Sequence, residues 1–294
     1  MMSLRERRKK ERRKQWWKNT VFLAVTGVLA VIAVGCFCYA GVYYYKLNQG
    51  EDQFDKLRDT EQTEAVYPEE TEVTVYPEGS FCEAVYDFDE LRAENKDIYA
   101  WITVPGTQVD YPVLQSETDN YYLDRNLDHS QGYPGCIYTN KVNAKDFSDY
   151  NVVLYGHNMK NGSMFGCLHS FEEREFFDEN RQIIVYTEDR RLTYEIYAAV
   201  KFTDAYIPAY YEVTTPEGRD AFLQDLRTES EGSSVSHIRE DMEILPEDQL
   251  ITLSTCVNGE RPKRYLVVGK LTEEAYYLSG GEENAVGTEL KNEE

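Results

Sequence analysis

Three residues of types that do chemistry stand at the ends of apolar, β-branched runs in this 294-residue chain. The run Leu250-Ile251-Thr252-Leu253-Ser254-Thr255 stops at Cys256, beyond which Asn258 and Gly259 signal a turn, so a thiol sits where a strand ends. A structural cysteine lies more naturally within the apolar part of a strand, and the terminal position fits a reactive thiol as well as a packed one. A second run, Asn151 to Tyr155, ends in Gly156-His157-Asn158 and places an imidazole at a strand terminus in the same way. A free thiol titrates at about 8.5 and an imidazole at about 6.5, so a cysteine nucleophile needs a partner that takes or holds its proton, and histidine is the usual one. His157 is the candidate among the four histidines. His129 and His237 lie in polar, turn-like stretches and His169 in a helical one; an ordinary hydrogen-bonded histidine is the alternative for each of the four. Arg264 opens the run Tyr265 to Lys270, and a tight loop joins that run to Cys256, so a hairpin would return a guanidinium beside the thiol. Attack on an amide carbonyl builds charge on oxygen, and a fixed guanidinium is a good donor to it. Arg261 and Lys263 compete for that place, and a solvated strand-end charge is the plain alternative.

The elements that must position these residues lie between about 81 and 272. Asp87 and Glu90 have capping-box spacing ahead of a short helix on which Ala84, Phe88 and Leu91 share a face. Strands are expected over 100–104, 109–114 (after a Pro105-Gly106 turn), 135–139, 151–155, 182–187, 191–202, 250–255 and 265–271. Short helices fit 162–171 and 216–227. Some eight strands with so few helices would leave many edges exposed, which points to a mainly β fold: a closed or nearly closed eight-stranded barrel.

Charge divides the chain. Residues 1–19 form a basic head (Arg5, Arg7, Arg8, Lys9, Lys10 and their neighbours), whereas the whole chain carries a formal net charge of −22. The excess of acid excludes a nucleic-acid partner, since phosphate contacts need a basic face. No charged residue occurs from Val21 to Tyr45. A helix of that length rises about 37 Å, enough for a hydrocarbon core of about 30 Å. Trp16 and Trp17 at one end and Tyr43, Tyr44 and Tyr45 at the other have the placement of interfacial aromatic belts. A cleaved signal peptide has a shorter apolar stretch of about 7 to 15 residues, so residues 20–46 are expected as an uncleaved transmembrane signal anchor, with the basic head cytoplasmic and the rest extracellular. Cleavage before Cys36 is disfavoured because the apolar run continues past it. Residues 47–80 are acidic and proline-punctuated and read as a stalk; residues 273–294 read as a loose acidic tail. The six cysteines include no CxxC, and mostly free thiols are expected. A zinc site from Cys136, His157, Cys167 and His169 is disfavoured, because Cys-x-His is not a standard ligand spacing; no metal and no cofactor are expected.

The string Thr252-Leu253-Ser254-Thr255-Cys256, followed by an arginine that opens the next apolar strand, resembles the TLxTC signature of sortases. Tyr155-Gly156-His157-Asn158-Met159 with Gly162-Ser163-Met164-Phe165-Gly166 is similar to the histidine region of class B sortases in particular. Asn95 to Ile102, Val109 to Val113 and Asn120-Tyr121-Tyr122-Leu123 resemble the same class, so the likeness spans about 85–270. It implies a sortase β-barrel with a helix before the cysteine strand, here 216–227. It also implies Cys256 as nucleophile, His157 as acid/base and Arg264, rather than Arg261, as the residue that holds the substrate carbonyl or oxyanion. Leu123, Tyr206, Ile207, Ser254 and Thr255 are implied as lining of a peptide groove. Similar proteins often carry an acidic residue where this chain has Asn140.

The activity so implied is that of a cysteine transpeptidase of a Gram-positive cell surface. It would cleave a C-terminal sorting motif of secreted surface proteins through a thioester on Cys256, then pass the acyl group to an amine of a peptidoglycan precursor or wall peptide. A cell-envelope cysteine endopeptidase that resolves the thioester with water is one rival. A non-catalytic surface binding module, indifferent to alkylation of Cys256, is another.

Overall fold

The computed structural model describes residues 4–60, 80–82, 84–260 and 262–277. They fall into two units, one up to Gln49 and one from Gly50 onward. The first is the solvent-exposed part of a long helix, α1 (Leu4–Thr60), which holds the one stretch among the described residues that is long and apolar enough to cross a membrane.

The second unit is built from ten strands: β1 (Ser80–Cys82), β2 (Ile98–Thr103), β3 (Asp110–Leu114), β4 (Ile137–Thr139), β5 (Asn151–Tyr155), β6 (Gln182–Tyr186), β7 (Arg190–Thr203), β8 (His237–Ile238), β9 (Leu250–Cys256) and β10 (Lys263–Tyr277). Eight of them close on themselves in the order β10-β9-β5-β4-β3-β2-β6-β7, with β7 returning to β10, while β1 and β8 attach at the sides. This is the closed eight-stranded barrel expected from the sequence, and its eight staves are the eight expected strands. Closure gives the long β7 and β10 a ladder from Lys263 opposite Thr203 to Tyr276 opposite Arg190, so neither is left as an open edge.

Alternation along the staves sends side chains to two separate cores. Ile251, Leu253, Tyr265, Val267 and Ala199 point into the barrel with Trp101, Val113 and Ile137. Leu250, Leu266, Val268, Val200 and Phe202 point outward and are covered by Phe222, Leu223 and Leu226 of helix α5 (Pro216–Ser230) and by Ile207 of the short helix α4 (Ile207–Tyr210). Helix α5 starts where local chemistry says it should: Thr215 caps it by accepting the Gly218 N–H at 3.1 Å, and Pro216 fills the first turn. Helix α2 (Phe88–Glu94) is capped by Asp87, whose carboxylate accepts from the N–H groups of Asp89 and Glu90.

Three expected boundaries shift. The stalk proposed over 47–80 is helical through Thr60, because Phe54 and Leu57, three residues apart on one helix face, are buried in the barrel's core cluster. Arg58 fixes the same turn by donating to the Asp110 carbonyl from Nε at 2.9 Å and Nη2 at 2.7 Å. The rest of that stretch, 61–79, lies outside the described residues. The tail proposed from 273 begins as strand: β10 continues to Tyr277, with Ala275 buried and paired in parallel with Ser80; residues 278–294 lie outside the described residues. The helix expected over 162–171 is instead a turn followed by a 3₁₀ helix, Gly166–Glu172. Met164 has a positive φ of 54°, and the Phe165 N–H is tied back to the His157 carbonyl at 3.0 Å, which no α-helix through these residues permits. The small helix α3 (Arg174–Glu179) follows it.

Candidate active site

The rim of the barrel at the end of β9 gathers the three residues singled out by type. Arg264 stands directly opposite Cys256 in the β9–β10 ladder, so both side chains leave the same face. Nη1 of Arg264 donates to Sγ of Cys256 at 2.5 Å. The sulfur is exposed, although the strand that carries it is buried from Leu250 to Thr255. A positive charge against an accessible sulfur is the setting in which a thiolate acts as a nucleophile.

His157 arrives from the other flank. Strands β5 and β9 run parallel with Tyr155 opposite Ser254. The Gly156 N–H bonds the Ser254 carbonyl at 3.2 Å, and Asn158 Nδ2 bonds the Cys256 carbonyl at 2.7 Å. His157 lies between those two ties, which hold it at the same rim as Cys256. Its Nε2 is 2.5 Å from the Leu123 carbonyl, and its ring packs on Tyr133 with centroids 4.8 Å apart. A carbonyl only accepts, so Nε2 carries the hydrogen and the neutral ring keeps its lone pair on Nδ1. Burial pushes the His157 imidazole below its ordinary value, and the Arg264 guanidinium pushes the same way; the bond to Leu123 and the charge of Asp124 oppose them. At neutral pH the ring is therefore a base with an open nitrogen.

Local sequence explains the approach. Gly156 has no side chain where one would stand 2.5 Å from Ile137 Cδ1 and 2.7 Å from Phe165 Cδ2. A larger residue would force Ile137, Phe165 or the chain just before His157 to shift. Of the competitors for the guanidinium's place, Lys263 is turned to Glu229, 3.2 Å away, and Arg261 lies outside the described residues.

Beside the site, Tyr138 and Tyr155 face each other across β4 and β5 with rings stacked at 5.5 Å, and Tyr206 extends the stack at 6.5 Å. Asn140 braces this wall: Oδ1 accepts the Asn120 N–H at 2.8 Å and Nδ2 reaches Tyr206 Oη at 3.3 Å. An amide supplies both an acceptor and a donor there, which a carboxylate would not. Of the five implied groove residues, Leu123 and Tyr206 are open to solvent. Ile207 is 4% exposed within the outer core, Ser254 is 6% and Thr255 1% exposed, and the Thr255 hydroxyl is engaged by the Gly156 carbonyl at 2.9 Å. Ile207 packs from α4 onto the outer core, and Ser254 and Thr255 lie within the β9 ladder, so none of the three is open to solvent in this conformation.

The cysteines divide by environment, and all six are free thiols. Cys136 is buried, and burial raises its thiol strongly; Cys167 is half-buried and raised by the same cause. His129 lies 3.4 Å from Tyr121 Oη, and His237 Nε2 donates to the Glu172 carbonyl at 2.9 Å. His169 departs from expectation: it reaches the main chain of Cys256. The sequence carried no local sign of this contact, since 87 residues separate the two.

Comparison with known proteins accords with this geometry. Residues 102–272 match the family model described as Sortase domain, more than half of the chain. Sortase B of Listeria monocytogenes is 29% identical over 251 residues, covering 83% of this chain and 95% of that protein. The crystal structure of sortase B from B. anthracis superposes with a TM-score of 0.60 at 26% identity, covering 78% of this chain and 98% of that one. Sortase B of Clostridium perfringens gives 0.56 at 27% identity, covering 63% of this chain and 99% of that one. With a closed barrel whose rim carries an accessible thiol under an arginine, and with these likenesses running the length of the domain, the chain belongs to the sortase family of cysteine transpeptidases and is similar to its class B members.

Proposed function

We propose that this sortase cleaves a sorting motif near the C-terminus of secreted proteins at the cell surface and transfers the released acyl group to a cell-wall amine. The observation that carries the proposal is the contact of Arg264 Nη1 with Cys256 Sγ on a rim that also receives His157. In the first half-reaction the sulfur attacks the scissile carbonyl, and the His157 imidazole takes the thiol proton. Arg264 then holds the charge that develops on the carbonyl oxygen. Collapse breaks the C–N bond; His157 returns the proton to the leaving amine, and a thioester remains on Cys256. In the second half-reaction an amine attacks the thioester and gives up its proton to His157. The product amide forms and the thiol is regenerated, with no cofactor consumed. The free energy of the broken amide is kept in the thioester, so no nucleotide is needed.

Exposed Leu123 and the Tyr138–Tyr155–Tyr206 wall flank the place the peptide would occupy. The long apolar helix supports a membrane anchor over 20–46, with residues 1–19 on the cytoplasmic side and the barrel outside. Intact-mass spectrometry of the protein mixed with sorting-motif peptides tests the reaction. The expected result is a mass gain equal to the N-terminal acyl fragment less the displaced thiol hydrogen, absent in Cys256→Ala, and its transfer to an added amine. An adduct released at the same rate with and without amine would identify a hydrolase instead, and no adduct with any peptide would overturn the proposal.

A further inference from the structure

A second cluster of side chains touches the nucleophile, and it does so through the main chain. The β5–β9 register ends at Tyr155 opposite Ser254, two residues short of Cys256, so the Cys256 carbonyl runs past the ladder. Two side chains take it up. Asn158 Nδ2 donates to this oxygen at 2.7 Å, and His169 Nε2 lies 3.0 Å from it. His169 comes from the 3₁₀ helix, where its ring stacks on buried Tyr265 with centroids 5.1 Å apart. Its Nδ1 is 2.6 Å from Glu172 Oε1. A carboxylate accepts, so Nδ1 carries a hydrogen, and Glu172 fixes both the orientation and the tautomer of the ring.

Nε2 then has two neighbours that ask opposite things of it. Asn158 Nδ2, 2.9 Å away, is a donor and needs the nitrogen's lone pair, whereas the Cys256 carbonyl is an acceptor and needs a proton. In the neutral ring the two hydrogens of the Asn158 amide bridge His169 Nε2 and the Cys256 oxygen. In the protonated ring Nε2 bonds the oxygen directly. Either way the imidazole is coupled to the peptide group of Cys256.

We propose that His169, oriented by Glu172 and acting with Asn158, is a positioning residue for Cys256. It fixes the peptide plane that follows the nucleophile, and with it the direction in which Cβ and Sγ leave the strand toward Arg264. This rests on the reading of Cys256 as the nucleophile. The role belongs to Nε2, not to the ring as packing, and two substitutions separate these. In His169→Gln the side-chain amide reaches about the position of Nε2 and can donate or accept there. In His169→Phe the ring stays on Tyr265 but both nitrogens are gone.

The test uses the full chain in detergent, with thermal midpoints recorded for each variant. Acylation by a sorting-motif peptide is expected to lose about 10- to 100-fold in kcat in His169→Phe with KM little changed, the scale of a misplaced reacting group, and His169→Gln is expected to recover most of that loss. Wild-type kcat in the Phe variant, or a Gln variant as slow as Phe, overturns the proposal. Should the Phe variant lose its folded transition, Glu172→Gln decides. It leaves ring and fold in place, and a smaller loss of kcat in the same direction is expected, whereas no change overturns the proposal. The rate of alkylation of Cys256 by iodoacetamide is measured in parallel and needs no peptide. The same order, wild type and Gln above Phe, is expected there. If wild type forms no thioester, the proposed reaction fails while the alkylation series still decides the role of His169.

Discussion

At the scale of residues, the proposed reaction divides the work around one sulfur: Arg264 would supply fixed charge and the His157 imidazole would move the proton. Arg264→Ala should lower kcat by about 10²- to 10³-fold, the effect of removing one oxyanion donor. Arg264→Lys should restore only part of it, because an ammonium lacks the planar fork that reaches both sulfur and substrate oxygen; steady-state kinetics with a sorting-motif peptide decides both. His157 makes a prediction about pH. Burial places its folded-state value below the ordinary ~6.5 of the unfolded chain. The unfolded state therefore binds more protons across that interval, and the His157 contribution to stability is lost as pH falls from about 6.5 through the folded value. The acid limb of kcat/KM should likewise lie below 6.5 if the neutral ring is the working form. An NMR titration of the His157 ring with a midpoint above 6.5 would contradict both.

At the scale of elements, the end of β5 and the last turns of α1 have more to do than their sequences announce. Gly156→Ala would put a Cβ against Ile137 and Phe165. Overpacking of that kind costs about 1–3 kcal/mol, and because it displaces the chain at His157, activity should fall with stability; denaturant unfolding and kinetics on the one variant check this. Phe54 is fully buried, and Phe54→Ala should cost about 3–5 kcal/mol in the same unfolding assay. The eight barrel strands were legible because each is a β-branched run ended by a turn residue, as at Leu250–Cys256 and Pro105-Gly106. Helix Gly162–Phe171 was misread because its apolar spacing suits a helix, while the tie from Phe165 to the His157 carbonyl that breaks it is not a property of the segment. The burial of Phe54 and Leu57 was missed for a related reason. Acidic neighbours such as Asp52 and Asp55 made the stretch look solvated, yet a helix needs only one apolar face to dock.

At the scale of the molecule, the described barrel unit begins at Gly50 rather than near 81. A chain starting at Gly50 keeps Phe54, Leu57 and Arg58 against the barrel and should unfold at the same temperature as the full-length protein. A chain starting at Ser80 loses Phe54, Leu57 and Arg58 together and should melt roughly 10 °C lower, since each kcal/mol shifts the midpoint by about 2–4 °C in a domain of this size. Differential scanning calorimetry of the two truncations distinguishes the cases.

What the sequence by itself determined is local: the period of each strand, the residues that stop it, the caps of α2 and α5, the apolar length of α1, and the types of side chain left at the strand ends. These follow from backbone sterics, hydrogen-bond valence and hydrophobic alternation, all of which act over a few neighbours. Tertiary structure decided which ends meet. The fold put Arg264 rather than Lys263 on the sulfur, because β9 and β10 pair in a register in which only every second residue of β10 shares a face with Cys256. It also brought His169 from a separate 3₁₀ helix to the Cys256 carbonyl, since a peptide group left beyond the end of a ladder takes whatever partner the fold delivers there.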